Sequence, residues 1–88
     1  MDDERLAALP GWRVNAAGRL EKTFRHEGFR AGLEFVKRVG EMCEATDHHG
    51  DLHLTWGATR LEVWTHATGG LTDKDFAWAA RAEKLWGA

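Results

Sequence analysis

Hydrophobic residues recur every three or four positions over residues 28–45, which predicts a long amphipathic helix. Its apolar face consists of two neighbouring rows: Phe29, Leu33, Val36 and Cys43 in one, and Gly32, Phe35, Val39 and Met42 in the other. Gly32 and Gly40 each weaken such a helix by about 1 kcal/mol relative to alanine unless close packing makes use of them. The pattern therefore predicts one helix with a broad buried face.

Alternating apolar and polar residues predict four short strands in two pairs. They are residues 12–14, about 20–26, 51–56 and 60–66. A turn signal over residues 15–18 joins the first pair and residues 57–59 join the second, and connections this short favour antiparallel hairpins. We expect Trp56 to lie on the apolar face of the third strand, and Trp64 and His66 to share one face of the fourth.

Two further helices complete the pattern, a short one over residues 2–9 and a last one over about 73–86. Thr72 and Asp75 match a capping box at the start of the last helix. The order α-β-β-α-β-β-α with short hairpins predicts an α+β two-layer sandwich, in which a layer of three helices covers a four-stranded antiparallel sheet. We expect residues 1–88 to form a single domain.

The composition is that of a small globular domain with a thin core. The chain has 88 residues and a mass of 9.9 kDa. A single sheet of this size leaves an open edge or face, which favours a homo-oligomer. The net charge of -2 argues against a dedicated nucleic-acid-binding protein, because such proteins concentrate basic residues on one surface.

The cysteine count and the absence of long apolar runs exclude further classes. Cys43 is the only cysteine, so the chain forms no internal disulfide and no zinc site built from several thiolates. No run approaches the roughly 18 apolar residues of a membrane span, so we expect no contact with a membrane. The acidic start, Met1-Asp2-Asp3-Glu4, lacks the basic region of a secretory signal. We therefore expect a cytoplasmic protein.

Four of the five histidines lie between positions 48 and 66, and three of them could meet in one pocket. His48 and His49 precede the third strand, His66 ends the fourth, and Asp75 lies in the first turn of the last helix. If the hairpin forms, these positions converge. Imidazoles exchange protons near neutral pH, and a carboxylate can fix the tautomer of one ring, so the cluster predicts acid–base chemistry.

Other interpretations of the same residues stay open. A pair such as His48-His49 can be ordinary polar loop sequence, and Asp75 can serve only as a helix cap. The histidines and the aspartate could instead hold a zinc-like ion, although adjacent histidines rarely aim both rings at one ion. The chain has no glycine-rich phosphate loop. Cys43 lies on the apolar helix face, which is typical of a core residue and not of a nucleophile.

The spacing of these residues resembles that of the pterin-4a-carbinolamine dehydratase family. Glu44 and the pair His48-His49 occupy family positions, and residues 65–75, THATGGLTDKD, are similar to the family segment T-H-x-x-x-G-L-[ST]-x-x-D. Gly11-Trp12 and the stretch from Phe24 to Phe29 also resemble family positions. The resemblance extends over nearly the whole chain and includes the order of the predicted elements.

The resemblance implies a dehydratase that converts 4a-hydroxytetrahydrobiopterin to quinonoid dihydropterin and water. Because no electrons move and no ion is obligatory, it implies no cofactor and no metal. His48 and His66 would transfer protons, and His49 would help to bind and polarise the pterin. Asp75 and Glu44 would orient imidazoles or ring contacts. The family also forms homodimers and homotetramers, so the resemblance implies self-association.

Some positions allow other roles or depart from the family pattern. By resemblance, Trp12 would supply a flat wall for the pterin ring, but it could equally anchor the core. The family usually has His-His-Pro-Glu, whereas this chain has Gly50 and Asp51 after the histidines. We expect Gly50 to leave the backbone freer than proline would. These departures keep open a catalytically reduced protein-binding module, and the histidines keep open a metal-binding module.

Overall fold

The computed structural model describes residues 2–87, with side chains from residue 4 onward. Within this range the elements follow the predicted order: α1 (Asp2–Ala7), β1 (Arg13–Val14), β2 (Leu20–Arg25), α2 (Phe29–Thr46), β3 (Asp51–Leu54), β4 (Ala58–Val63) and α3 (Asp73–Leu85). The strands form one antiparallel sheet in the order β1-β2-β4-β3. The predicted fold class is confirmed. None of the helices in residues 2–87 is long and apolar enough to cross a membrane.

The core lies between the sheet and the helices α2 and α3. Successive side chains of a strand point to opposite faces, so one face of β2 and β4 is apolar. The buried residues from this face and from the two helices include Leu20, Phe24, Leu61, Val63, Phe35, Val39, Trp78 and Ala79. The apolar face of the sheet and the helices therefore form a single core, and the last residue of β4, Val63, is buried in it.

The opposite face of the sheet carries a polar network across β1, β2 and β4. The Nδ2 group of Asn15 donates to Glu21 Oε1 at 2.8 Å and to Glu62 Oε2 at 2.6 Å. The guanidinium of Arg13 donates to Glu21 Oε2 at 2.7 Å, and that of Arg60 donates to Glu62 at 2.8 Å. The hydrogen bond from Asn15 and the charges of Arg13 and Arg60 lower the pKa of Glu21, although its burial opposes them.

The second hairpin turns two residues earlier than its sequence indicates. The structure has the turn at residues 55–57, where Thr55 donates from its backbone N–H and its hydroxyl to the carbonyl of Ala58 at 2.8 and 2.9 Å. The predicted place of Trp56 on the apolar strand face is therefore wrong, because it lies in the turn and 71% of it is exposed. β4 correspondingly ends at Val63, before Trp64 and His66.

The two predicted rows of α2 differ in burial. Phe35, Val39, Met42 and Cys43 are buried, whereas Phe29 is 45% exposed, and Leu33 and Val36 are partly exposed. The two helix glycines also differ. A Cβ at Gly32 would lie 2.5 Å from His26 Nε2 and 2.5 Å from Leu54 Cδ1, whereas a Cβ at Gly40 would meet nothing within 4 Å. Gly32 therefore allows close packing, and Gly40 has no such role within the described residues.

Candidate active site

Three histidines from two parts of the chain line one pocket of about 260 Å³. We call it the histidine pocket, and it is lined by Asp47, His48, His49, Thr65, His66, Ala67 and Lys74. Its walls come from the loop after α2, from the loop after β4 and from the first turn of α3. The antiparallel pairing of β3 with β4 brings the first two walls together, because β3 begins where β4 ends.

The way in which α2 ends positions His48 and His49 at the pocket. Asp47 adopts the left-handed conformation with φ of 53°, and its backbone N–H bonds to the carbonyl of Cys43. The backbone N–H of His48 reaches the same carbonyl at 3.2 Å. This closure of the helix turns the chain sharply. The indole Nε1 of Trp78 then donates to the carbonyl of His48 at 2.9 Å and so fixes the loop against α3.

Asp75 holds the ring of His48. The Nε2 atom of His48 lies 2.7 Å from Oδ1 of Asp75, whose side chain is fully buried. Because a carboxylate only accepts hydrogen bonds, Nε2 carries the proton of this contact. Nδ1 is then the other nitrogen of the ring, and among the described residues it has no hydrogen-bond partner. His48 therefore has one nitrogen committed to a buried carboxylate and one available to a ligand.

Two threonines complete the surroundings of Asp75. The hydroxyl of Thr65 donates to Oδ2 of Asp75 at 2.8 Å, and the backbone N–H of Thr72 donates to the same oxygen at 2.8 Å. The two hydroxyls lie 2.7 Å apart, so the hydroxyl of Thr65 accepts from that of Thr72 while it donates to Asp75. The capping box predicted for α3 is present. The same carboxylate thus caps the helix and orients a histidine.

His49 and Glu44 form a second, more exposed pair. Nε2 of His49 lies 2.6 Å from Oε2 of Glu44, and about half of the His49 side chain and most of the Glu44 side chain are exposed. Exposed pairs of this kind contribute little to stability. Their geometry nevertheless fixes which nitrogen of His49 faces Glu44, as Asp75 does for His48.

His66 lies in a tight loop after β4, not in a strand. The backbone N–H of Thr65 bonds to the carbonyl of Gly70 at 3.0 Å, which closes the loop around His66. The imidazole stacks on the indole of Trp64 with 4.6 Å between the ring centroids, and the guanidinium of Arg19 lies 3.7 Å from the Trp64 ring centre. The sequence predicts that Trp64 and His66 lie on the same side of the chain, and their stacking agrees with this prediction, whereas the contact of Arg19 with Trp64 was not predicted.

Trp12 is not among the residues that line the histidine pocket. It is 6% exposed, its indole Nε1 donates to Glu83 on α3 at 2.8 Å, and its ring packs edge-on against Phe24 with centroids 6.1 Å apart. This position fits the core-anchor alternative for Trp12. The other predicted site residues lie together in or beside the pocket.

The expectation that Gly50 leaves the backbone freer is wrong. The structure shows that Gly50 allows close packing instead. It is not among the glycines with positive φ, and a Cβ on it would lie 2.5 Å from the backbone carbonyl oxygen of Glu62 and 2.9 Å from Cζ2 of Trp78. Asp51 begins β3 with an exposed side chain 4.0 Å from Arg19. Among the side chains that the structure describes, those of residues 4–87, no three His, Cys, Asp or Glu residues are arranged to hold a metal ion.

Comparison with protein families gives a match over nearly the whole chain. A family model described as pterin 4 alpha carbinolamine dehydratase matches residues 2–85. A relative from Rubrobacter xylanophilus that carries the name pterin-4-alpha-carbinolamine dehydratase is 46% identical over 83 residues, which cover 93% of this chain and 78% of the relative. One from Methylococcus capsulatus with the same name is 42% identical over 84 residues, covering 94% and 74%.

A plant relative and two solved structures extend the comparison. Pterin-4-alpha-carbinolamine dehydratase 2, mitochondrial, from Arabidopsis thaliana is 40% identical over 91% of this chain and 45% of its own length. A transcriptional coactivator/pterin dehydratase from Brucella melitensis has the same fold, with a TM-score of 0.90, 24% identity and coverage of 98% and 93%. A pterin dehydratase-like RuBisCO assembly factor of the alpha-carboxysome follows with a TM-score of 0.73, 22% identity and coverage of 89% and 92%.

Proposed function

Because the chain belongs to the pterin-4a-carbinolamine dehydratase family, we propose that it dehydrates a 4a-hydroxytetrahydropterin, such as 4a-hydroxytetrahydrobiopterin, by histidine acid–base catalysis. The names of the family and of its members support dehydration of a pterin carbinolamine. The assignment of the proton transfers to His48 and His66 rests on the geometry of the histidine pocket.

The chemistry of the reaction needs one acid and one base. The bond between C4a and its hydroxyl oxygen breaks, and a proton added to that oxygen lets it leave as water. A ring N–H loses its proton, and its electrons form the new double bond to C4a. No electron leaves the substrate, so residues that exchange protons are sufficient. Each positioned acid or base contributes about 10²–10⁴-fold to such a rate.

The observation that carries the proposal is the contact of His48 with the buried Asp75, beside His66 in one pocket. The carboxylate holds His48 in one tautomer and stabilises the ring when it gains a proton at Nδ1. His66 faces the same pocket, and among the described residues its ring nitrogens have no hydrogen-bond partner. We assign proton exchange with the C4a hydroxyl and the ring N–H to these two histidines.

His49 and Glu44 are assigned to substrate binding. His49 lines the pocket, and its contact with Glu44 leaves Nδ1 as the ring nitrogen available to a pterin. The pterin ring is flat and carries several donors and acceptors, so it needs polar groups at its rim in addition to the catalytic pair. We therefore expect substitution of His49 to raise KM more than it lowers kcat.

Self-association is also part of the proposal. Phe29, Leu33 and Val36 lie on one side of α2 and are partly or largely exposed. The edges of β1 and β3 also carry no neighbouring strand within residues 2–87. Apolar side chains and open edges of this kind favour association with a second copy. Sedimentation velocity at several protein concentrations tests whether the chain forms a homodimer or a homotetramer.

A second candidate is a protein-binding module with little activity. Its support is the departure at Gly50 and Asp51, together with a fold neighbour that is described as a RuBisCO assembly factor. That neighbour is 22% identical, so its likeness concerns the fold. This alternative predicts no dehydration above the uncatalysed rate at any pH between about 6 and 9.

The decisive experiment follows the breakdown of freshly generated 4a-hydroxytetrahydropterin by absorbance, with and without the protein and with and without a chelator. We expect the protein to accelerate dehydration and the chelator to leave the rate unchanged. Loss of activity or of thermal stability on chelation would support the metal-binding alternative instead. A rate equal to that of buffer alone, with the protein folded, would contradict the dehydratase.

A further inference from the structure

A second cleft of about 260 Å³ opens directly beside the histidine pocket. It shares Asp47, His48 and Lys74 with that pocket, and its remaining walls are Thr46, Ala77, Trp78 and Arg81. We call this second cleft the cationic annex. Because the two clefts share three residues, a ligand whose ring lies among the histidines can extend a substituent into the annex.

The helix α3 gives the annex its charge. Lys74 and Arg81 are seven residues apart, which places them on one face of the helix with Cα atoms about 10 Å apart along its axis. Ala77 lies between them on the same face, and its small side chain leaves the space open. The indole N–H of Trp78 is committed to the carbonyl of His48, so its ring offers an apolar wall.

The two cations are free to meet a ligand. Among the side chains of residues 4–87, neither Lys74 nor Arg81 has a carboxylate within 4.0 Å, and both residues are exposed. Other basic residues on the surface, such as Arg13, Lys22 and Arg60, do contact carboxylates. Asp47 is the acidic residue among those that line the annex, so two positive charges face one negative charge.

We propose that the annex binds an anionic substituent of the pterin, a phosphate or a carboxylate, and that the preferred substrates are therefore pterins with an acidic side chain. A guanidinium matches the oxygens of either anion with two parallel N–H donors, and the ammonium of Lys74 adds a point charge. This inference rests on the proposed function, since it needs the pterin ring to lie in the histidine pocket.

Direct binding separates this inference from catalysis. Isothermal titration calorimetry compares three stable ligands: 6-hydroxymethyl-7,8-dihydropterin, its phosphate monoester, and a dihydropterin with a carboxylate side chain. We expect at least one of the two acidic ligands to bind about tenfold more tightly than the alcohol, as one well-placed charge-assisted contact allows. Whichever acidic ligand shows this preference identifies the anion. Added salt should reduce the preference, because Arg81 is exposed.

Two variants of α3 make the test specific. In Arg81→Gln the preference for the acidic ligand should fall to about twofold or less. In Lys84→Gln, which removes an exposed cation outside the annex, it should remain at its original value. Equal binding of all three ligands to the unmodified protein would overturn the inference, as would a preference that survives in Arg81→Gln.

A turnover assay distinguishes this failure from failure of the proposed function. Preferential binding of an acidic ligand without dehydration of the carbinolamine would contradict the proposed enzymatic activity and support the inference on the annex. Dehydration without any preference for an acidic ligand would contradict the inference on the annex and support the proposed enzymatic activity. If none of the three ligands binds and no dehydration occurs, both inferences are contradicted.

Discussion

Asp75, the fully buried cap of α3, accepts a hydrogen bond from Nε2 of His48 at 2.7 Å. The first turn of a structural helix is thereby connected to the most buried histidine of the pocket. The backbone of Thr72 and the hydroxyl of Thr65 donate hydrogen bonds to the same carboxylate. The orientation of His48 therefore depends on residues that are distant from it in the sequence.

Removal of the Thr65 hydroxyl should affect activity through Asp75. In Thr65→Val, Oδ2 of Asp75 loses one of its two donors inside the protein, which should cost about 1–3 kcal/mol of unfolding free energy. Displacement of the carboxylate should lower kcat by about tenfold and leave KM within about twofold. Steady-state kinetics and urea unfolding measure both effects. Thr65→Ser keeps the hydroxyl and should restore kcat. An unchanged kcat in Thr65→Val would contradict the role of Thr65 in positioning Asp75.

The two glycines of α2 should respond oppositely to alanine. Gly40→Ala should stabilise the protein by about 1 kcal/mol, because the helix gains propensity and the new Cβ meets nothing within 4 Å. Gly32→Ala should destabilise it by about 1–3 kcal/mol, because the Cβ overlaps His26 and Leu54. Chemical unfolding of both variants under the same conditions gives the comparison. Stabilisation by both substitutions would mean that His26 and Leu54 move aside freely.

Gly50 should tolerate no side chain. In Gly50→Ala the Cβ would lie 2.5 Å from the carbonyl oxygen of Glu62, and a backbone atom in the middle of the sheet cannot rotate away. We expect a loss of about 1–3 kcal/mol in unfolding free energy and a higher KM, since the neighbouring His49, which is assigned to substrate binding, shifts with the backbone. Gly40→Ala is the matched control for both measurements. Full stability and activity of Gly50→Ala would show that the loop has room.

Glu21 should make stability depend on acid pH. Its pKa is lowered in the folded protein, first by the hydrogen bond from Asn15 and then by Arg13 and Arg60. The unfolded chain therefore binds more protons, and the stability from Glu21 is present above the ordinary glutamate pKa of the unfolded chain and is lost as the pH falls through the lower pKa of the folded protein. Urea unfolding between about pH 3 and 6 should show a weaker pH dependence in Glu21→Gln than in the unmodified protein. Identical pH dependence would contradict this role.

The local patterns predicted much of the fold. The apolar rows of α2 and the capping box of Thr72 and Asp75 depend on residues three or four positions apart, so the sequence displays them directly. The position of the second turn was missed because Trp56 has a high strand propensity, whereas Thr55 closes the turn by two hydrogen bonds to Ala58. These local hydrogen bonds of the turn overrode the strand propensity of a single residue.

The site was less visible in the sequence because its contacts are distant along the chain. His48 and Asp75 are 27 residues apart, and nothing in their local patterns shows that they touch. Trp12 could not be assigned from the sequence either, since an aromatic residue beside a short strand can face the core or a ligand. The structure places it in the core. The annex formed by Lys74 and Arg81 was missed because both positions look like ordinary exposed helix positions until Thr46 and Trp78 close the cleft.

The most direct test of histidine catalysis compares single-turnover dehydration rates of the unmodified protein with those of His48→Gln, His66→Gln and His53→Gln. His53 is exposed on β3 and lies outside the histidine pocket, so its substitution is the matched control. We predict that His48→Gln and His66→Gln each slow dehydration by about 10²-fold or more, with unchanged circular dichroism, while His53→Gln stays within about twofold. Rates in His48→Gln and His66→Gln equal to that of the unmodified protein would contradict the account.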